Sequence, residues 1–289
     1  MRIASNKFGD VARFFHEELH SIYDKSEIDV FVDLCFETYL GYKRTERILR
    51  ASEPMSESVL LKFNAAVKEL KNQVPLQYIL GRADFYRLEF LVNQHVLIPR
   101  PETEELVDLI IKNLKRNKRT NVSILDIGTG SGCIAISLKK NLTGAEVSAI
   151  DISTDALDIA KRNALLNNVS VNWIESDILS GTFPLKSPVD IIVSNPPYVC
   201  ASEKDQMGKN VLEHEPHLAL FVDDNDPLLF YRKIADLAMK NLSSGAEIYF
   251  EINPLQDLQM KDMMVKKGFR NVVLIKDMND KNRILHCSV

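Results

Sequence analysis

Residues 125–132 read LDIGTGSG. An apolar run, 124–127, stops at a turn carrying three glycines, and residues 133–140 resume with helical spacing. Gly128 and Gly130 let the backbone turn tightly and approach a ligand, and Gly132 opens the helix. Taken alone, such a turn reads equally well as a plain connection, because glycine-rich turns are weak motifs. The residues around it decide. Apolar segments at 146–151, 171–175, 191–194, 247–251, 272–275 and 284–287 read as strands. Helical patterns at 154–167, 227–241 and 255–267 separate most of them. This alternation predicts an α/β domain: an open, seven-stranded, mostly parallel sheet with helices on both faces. Ligands of such sheets bind outside the strands' C-terminal ends, at the switch in strand order.

The glycines run G-x-G-x-G, whereas a dinucleotide site wants G-x-G-x-x-G and a helix start in register with a pyrophosphate. Asp126, two residues before Gly128, supplies a carboxylate where a cationic cofactor would sit. Asp151 ends the second strand of the series, and an acid there can accept both ribose hydroxyls of an adenosine. Asp177 follows the third strand, within reach of an adenine amino group, and Ile178 can pack on the ring. S-adenosyl-L-methionine, with adenosine, no phosphate, an ammonium and a sulfonium, fits this order of features. Its expected binding residues are Gly128, Thr129, Gly130, Ser131, Gly132, Asp151, Asp177, Ile178 and Asn195.

The fourth strand runs into VSNPPYV, 193–199. Proline cannot donate to a ladder, so the strand must end here. The prolines hold φ near −65° and fix the local backbone before any ligand arrives. An amide nitrogen is a poor nucleophile because its lone pair is delocalised into the carbonyl. Two acceptors aimed at its two N–H groups, the Asn195 side-chain oxygen and the Pro196 carbonyl, would hold such an NH2 in line with a methyl donor. Tyr198 would lie over the flat group, with Pro197 completing the turn. Asn195, Pro196 and Tyr198 are the expected catalytic residues, and Asn195, Pro196, Pro197 and Tyr198 the expected substrate contacts.

Upstream, residues 1–73 contain only Gly9, Gly41 and Pro54 as breakers, and their apolar residues recur three and four apart. That pattern predicts a small helical domain, with Ser56 as the N-cap of a helix running to about 73. Residues 74–98 then read as a β-hairpin linker, with Tyr78-Ile79-Leu80 as one arm and the alternating Tyr86–Val92 as the other. Residues 99–289 form the third segment. Eleven Lys and Arg face twelve Asp and Glu in residues 1–75, so this part presents no strong basic surface.

At this point a resemblance is plain. PLQYILG (75–81), FLVNQHVLIPRPETEELV (90–107), SNPPYV, LEHEPHLAL (212–220) and DKNRILHC (280–287) together resemble the release factor glutamine methyltransferases, the PrmC or HemK family. The resemblance implies a class I methyltransferase fold preceded by a helical domain that docks the substrate. It implies S-adenosyl-L-methionine as cofactor, S-adenosyl-L-homocysteine as product and no metal. The implied acceptor is the glutamine amide nitrogen in the Gly-Gly-Gln motif of peptide chain release factors, a reaction that modulates translation termination. It also makes RPETEE (100–105) a loop lining the pocket, with Glu102 and Thr103 facing it, although an N-capped helix start explains the same residues. Phe85 is a further candidate wall, and a core aromatic is the plainer account.

The bulk properties agree with a cytoplasmic protein, and a monomer is expected. Net charge is −4, unlike a surface built to grip nucleic-acid phosphates. No apolar run spans a bilayer, and the first residues lack a signal peptide's apolar core. The four cysteines form no CxxC pair, and His214 and His217 flank a proline without a third ligand cluster. Nothing near Cys200 supplies a base, so packing explains it. The rival readings are methylation of a ribosomal-protein glutamine or of the exocyclic amino group of a nucleic-acid base. Both present the same flat nitrogen. An NAD-dependent oxidoreductase lacks its glycine spacing here, and a scaffold would not need the NPPY sequence.

Overall fold

The computed structural model describes residues 5–180 and 187–289. The chain divides into two compact units, residues 1–81 with 209–214, and residues 82–208 with 215–289.

The first unit contains α1 (Phe8–Leu19), α2 (Lys25–Leu40), α3 (Arg44–Leu49), α4 (Glu57–Lys71) and α5 (Leu76–Leu80). The Asp24 carboxylate accepts from the Glu27 amide to cap α2, and Ser56 caps α4 as its position predicts. Phe15, Phe36 and Phe63 are fully buried at the centre, with Phe36 and Phe63 rings 4.7 Å apart. Each such aromatic contributes roughly 1.5–3 kcal/mol by leaving water, which is how a small helical unit holds together.

Residues 78–80 are not a strand. Pro75 starts the turn of α5, Leu76 is buried in the helical core, and Gly81 closes the helix at φ 71°. A three-residue apolar run carries too little periodicity to separate helix from strand. The hairpin lies one step later in the second unit, with β1 (Arg82–Phe85) antiparallel to β2 (Leu88–Leu91). Its two-residue turn is Tyr86–Arg87, both at positive φ, the backbone that matches the strands' own twist.

The second unit continues with α6 (Pro101–Arg116), β3 (Ser123–Ile127), α7 (Cys133–Asn141), β4 (Glu146–Asp151), α8 (Thr154–Leu166), β5 (Asn172–Glu175) and β6 (Val189–Ser194). Next come β7 (Val199–Cys200), α9 (Lys209–His214, part of the first unit), α10 (His217–Leu220) and β8 (Phe221–Val222). The chain ends with α11 (Leu229–Asn241), β9 (Leu242–Glu251), α12 (Asp257–Lys266), β10 (Arg270–Lys276) and β11 (Asn282–Ser288). Seven strands form one sheet in the order β10-β11-β9-β6-β3-β4-β5. Strands β3, β4, β5, β6 and β9 are parallel, and β11 and β10 join as antiparallel additions. The chain moves outward from β3 through β4 to β5, then returns to the other side of β3 with β6. The switch in strand order therefore falls between β3 and β6, where a ligand crevice is expected.

Successive residues alternate between the sheet's two faces. Ile191 and Val193 join the core shared with α6, α7 and the hairpin, while Ile192 joins the core shared with α11 and α12. The buried Asn163 of α8 ties the hairpin down. It accepts from the Leu91 amide at 2.6 Å and donates to the Leu91 and Ser131 carbonyls.

Glu247, in the middle of β9, carries a charged cluster. The His286 ring lies 2.8 Å from it, the Tyr249 hydroxyl donates to it at 2.6 Å, and Arg119 pairs with it. These partners, His286 first, hold its carboxyl down to about 2 from a usual value of 4.5. A carboxylate more acidic in the folded than in the unfolded chain stabilises the fold above its unfolded pKa and loses that contribution as pH falls through the folded one. The stability difference between the parent chain and Glu247→Gln, measured by denaturant titration, is therefore expected to be largest above about 4.5 and to shrink toward about 2. A difference independent of pH would show that this cluster contributes nothing through its charge.

Candidate active site

A cavity of about 300 Å³ opens at the β3–β6 switch. Its floor is the turn after β3. The Gly128 and Thr129 amides donate to the Ile150 carbonyl at 2.9 and 3.0 Å, so the turn is pinned across the end of β4. Gly128 and Gly130 stand at φ 72° and 54°, and a Cβ on either would meet nothing within 4 Å. Both line the cavity, so the missing side chains leave room there for a ligand.

Gly132 belongs to a different argument. At φ 81° its missing Cβ would come within 2.9 Å of Ile136 and 3.1 Å of Ala160 and Trp173. It is absent from the cavity wall and serves the packing of α7 against α8 and β5.

Three acids stand at this edge. Asp151, on the cavity wall, accepts from the Gly130 amide at 2.8 Å and the Ser153 amide at 3.0 Å. Burial pushes its carboxyl up, and these amides oppose that shift. Asp126 is fully buried behind the turn. The Thr129 hydroxyl donates to its Oδ2 at 2.6 Å, while Oδ1 has no hydrogen-bond partner among the described residues. Burial pushes this carboxyl up to about 7. Asp177 caps its own short turn through the Leu179 amide and lines the cavity with Ile178.

The second wall is the turn after β6. Asn195, Pro196 and Pro197 line the cavity. Ser194 is fully buried and donates to the Ile127 carbonyl at 2.6 Å, which locks this turn beside the glycine turn. The Asn195 side-chain nitrogen donates to Thr103 Oγ1 at 3.2 Å, and Thr103 also lines the cavity. Tyr198 is not on the cavity wall. Its hydroxyl donates to buried Glu251 at 3.1 Å, and its ring packs on the α11–α12 core. Burial, with the Glu251 charge beside it, raises the phenol's pKa, so it stays protonated as a donor.

A third wall comes from residues 95–100 and the segment after 214. The buried Glu215 accepts from the Ile98 amide and pairs with Arg100 at 2.5 Å, holding both segments at the cavity beside Pro216 and Leu218. Of the remaining expected pocket residues, Glu102 is half-buried and off the wall. Phe85 is fully buried against Phe90, their rings 6.0 Å apart, and faces the α6–α7 core. No hairpin residue lines the cavity, and Phe85 serves the core. His214 meets the Asn72 carbonyl at 3.0 Å, and the His217 ring packs edge-on to Phe221. Among the described residues no group of three or more His, Cys, Asp or Glu gathers as a metal site, and no helix is long and apolar enough to cross a membrane.

Sequence reading missed Glu251, Asn163, Arg100 and the pairing of Arg100 with Glu215. Arg100 sits in the segment already singled out. Nothing local marks Asn163 or Glu251, because their partners lie far away in the chain.

Residues 12–81 match the model of the PrmC N-terminal domain, and residues 103–218 match the methyltransferase small domain. A release factor glutamine methyltransferase of Flavobacterium psychrophilum is 50% identical over 272 residues, covering 94% of this chain and 95% of that protein. The chain belongs to the release factor glutamine methyltransferase family. A second member, from Bacteroides thetaiotaomicron, is 42% identical and covers 95% of this chain and 98% of its own. Among solved structures, a methyltransferase from Pyrococcus furiosus shares the fold at 20% identity, with a TM-score of 0.52 over 78% of this chain and 98% of that one. The chain thus has the class I methyltransferase fold, with a helical unit ahead of it.

The two kinds of glycine separate by experiment. Gly132→Ala is expected to lower stability by about 1–3 kcal/mol, because its Cβ enters a packed contact at a left-handed backbone position. Gly130→Ala is expected to cost about 1–2 kcal/mol from its backbone alone and to weaken cofactor binding measured by calorimetry. Equal binding by Gly130→Ala and the parent chain would remove the glycine turn from the ligand site.

Proposed function

We propose that this chain transfers a methyl group from S-adenosyl-L-methionine to the side-chain amide nitrogen of the glutamine in the Gly-Gly-Gln motif of peptide chain release factors. The observation that carries the proposal is the pairing of two turns in one cavity. One is a glycine turn with open space at Gly128 and Gly130, and the other offers the Asn195 side chain and the Pro196 backbone. The named relatives, at 50% and 42% identity over nearly the whole chain, supply the acceptor.

The residues present fit the cofactor. Asp151 retains lone pairs beyond its two amide donors, enough to accept ribose hydroxyls. Asp177 and Ile178 would take the adenine amino group and ring. Asp126, buried behind the glycine turn, shapes that turn through Thr129. When bound, S-adenosyl-L-methionine supplies an electrophilic methyl on a sulfonium and leaves as S-adenosyl-L-homocysteine.

The chain's own residues then do three things. The Asn195 side-chain oxygen and the Pro196 carbonyl accept from the two N–H groups of the glutamine amide, holding its nitrogen toward the methyl donor. Pro197 flanks the flat group and limits its rotation, while Tyr198, packed on the α11–α12 core with its hydroxyl on Glu251, holds the turn from behind. Orientation of this kind contributes as much as about 7–11 kcal/mol to lowering a barrier in favourable systems. No strong base is needed, because the nitrogen's proton becomes acidic once the N–C bond forms, and the same acceptors pass it to water. The helical unit, which matches the PrmC N-terminal domain, is proposed to dock the release factor. The enzyme is proposed to work as a cytoplasmic monomer without metal.

Purified chain incubated with methyl-labelled cofactor is expected to label a release factor, and to lose that label when the Gly-Gly-Gln glutamine is replaced. Label confined to a ribosomal protein or to nucleic acid would sink the proposal. Asn195→Ala is expected to lower kcat by at least about 10²-fold while cofactor still binds in calorimetry. Full methylation by that variant would take Asn195 out of the chemistry.

A further inference from the structure

Glu251, at the end of β9, is a buried carboxylate that the mechanism leaves unused. Two hydroxyls donate to it, Thr103 Oγ1 to Oε2 at 2.6 Å and Tyr198 to Oε1 at 3.1 Å. Each hydroxyl owns one proton, and an ionised carboxylate has none to give back. With its proton committed to Glu251, Thr103 Oγ1 can only accept from its other neighbour. That neighbour is Asn195, 3.2 Å away. The Asn195 atom facing Thr103 must therefore be the nitrogen, and the oxygen is turned away from Thr103. The donor and acceptor inventory thus fixes this amide's orientation.

We propose that Glu251 is a positioning residue: acting through Thr103, it sets which end of the Asn195 carboxamide meets the acceptor NH2, and through the Tyr198 hydroxyl it anchors the far end of the same turn. The proposal rests on the methyl-transfer reading above. Its logic is one of polarity. A carboxamide rotated by half a turn would offer N–H to an N–H of the substrate and repel it. A donor at the Glu251 position would allow that rotation, because the Thr103 proton would be free to point at Asn195. Burial raises the Glu251 pKa, and the Thr103 and Tyr198 hydroxyls with Arg283 favour its ionised form. With a hydroxyl donor on each carboxylate oxygen, the geometry suits an acceptor that orders both hydroxyls.

The test uses Thr103→Val, which keeps the shape and removes the hydroxyl, with Thr103→Ser as the conservative partner and Glu251→Gln as the polarity change. Thr103→Val is expected to lower kcat about tenfold, roughly the worth of one such hydrogen bond, with KM for the release factor and cofactor affinity within about twofold of the parent. Thr103→Ser is expected to restore kcat to within about threefold. Glu251→Gln is expected to lower kcat about 100-fold, since glutamine cannot accept both hydroxyl protons through its two terminal atoms. Unchanged kcat in Thr103→Val would overturn the proposal. So would equal losses in Thr103→Val and Thr103→Ser, or a loss appearing in cofactor affinity or KM instead of kcat. A parent enzyme that leaves release factors unlabelled would count against the function reading only. In that event the proposal is read from the Asn195 side-chain NH2 by nitrogen NMR. Faster solvent exchange in Thr103→Val supports it, and unchanged exchange overturns it.

Discussion

Ile127 and Ser194 stand opposite one another at the ends of β3 and β6, and the Ser194 hydroxyl donates to the Ile127 carbonyl. The whole cavity depends on this register. The glycine turn begins one residue after Ile127 and the proline turn one residue after Ser194, so fixing the pair brings both turns to one opening. A slip of one residue would exchange the faces of every β6 side chain and move Ile192 out of the α11–α12 core. Apolar burial on both faces makes that slip costly. Residues Ile191, Ile192 and Val193 are all fully buried.

The two turns meet the same demand by opposite means. The glycine turn needs left-handed backbone and space, and Gly128 and Gly130 supply both where a side chain would occupy the cavity. The proline turn needs a fixed backbone, and two consecutive prolines remove its freedom before any ligand arrives. A mobile acceptor would lose orientational entropy on each encounter, whereas Asn195 is already tied to Thr103 and the following loop to Asn253, which donates to the Tyr198 carbonyl. The loop's rigidity therefore comes from the fold as much as from the prolines.

Much of this was legible in the chain. The parallel strands, the glycine turn, the strand-end acid Asp151 and the stop at Asn195-Pro196 all rest on local chemistry: periodicity, φ preference and a missing N–H. What escaped notice was set by distant partners. Glu251 reads as an ordinary strand-end acid, and its meaning comes from hydroxyls 148 and 53 residues away. Asn163 reads as a polar residue on a helix until the hairpin folds over it, 72 residues distant in sequence. Gly132 shares the spacing of Gly128 and Gly130, but its missing side chain points into packing, a direction that spacing alone does not carry. Phe85 alternates correctly with its neighbours, yet which face of a hairpin is the core depends on what lies beneath. The three-residue run 78–80 is too short for either period, so Pro75 and Gly81 decided it as helix.

The electrostatics of the sheet edge follow from the same burial. Asp126, Asp151 and Glu251 all have carboxyls pushed up by burial, and the Asp151 charge further raises Asp126. Each is offset by donors placed on it: Thr129 on Asp126, two backbone amides on Asp151, Thr103 and Tyr198 on Glu251. Glu251 has two hydroxyl donors and Arg283 nearby, and is the most fully satisfied of the three. Asp126 keeps an unpartnered oxygen, so its desolvation is the least offset. Glu251 meanwhile needs no ligand to complete it, so the orientation of Asn195 is set in the free protein.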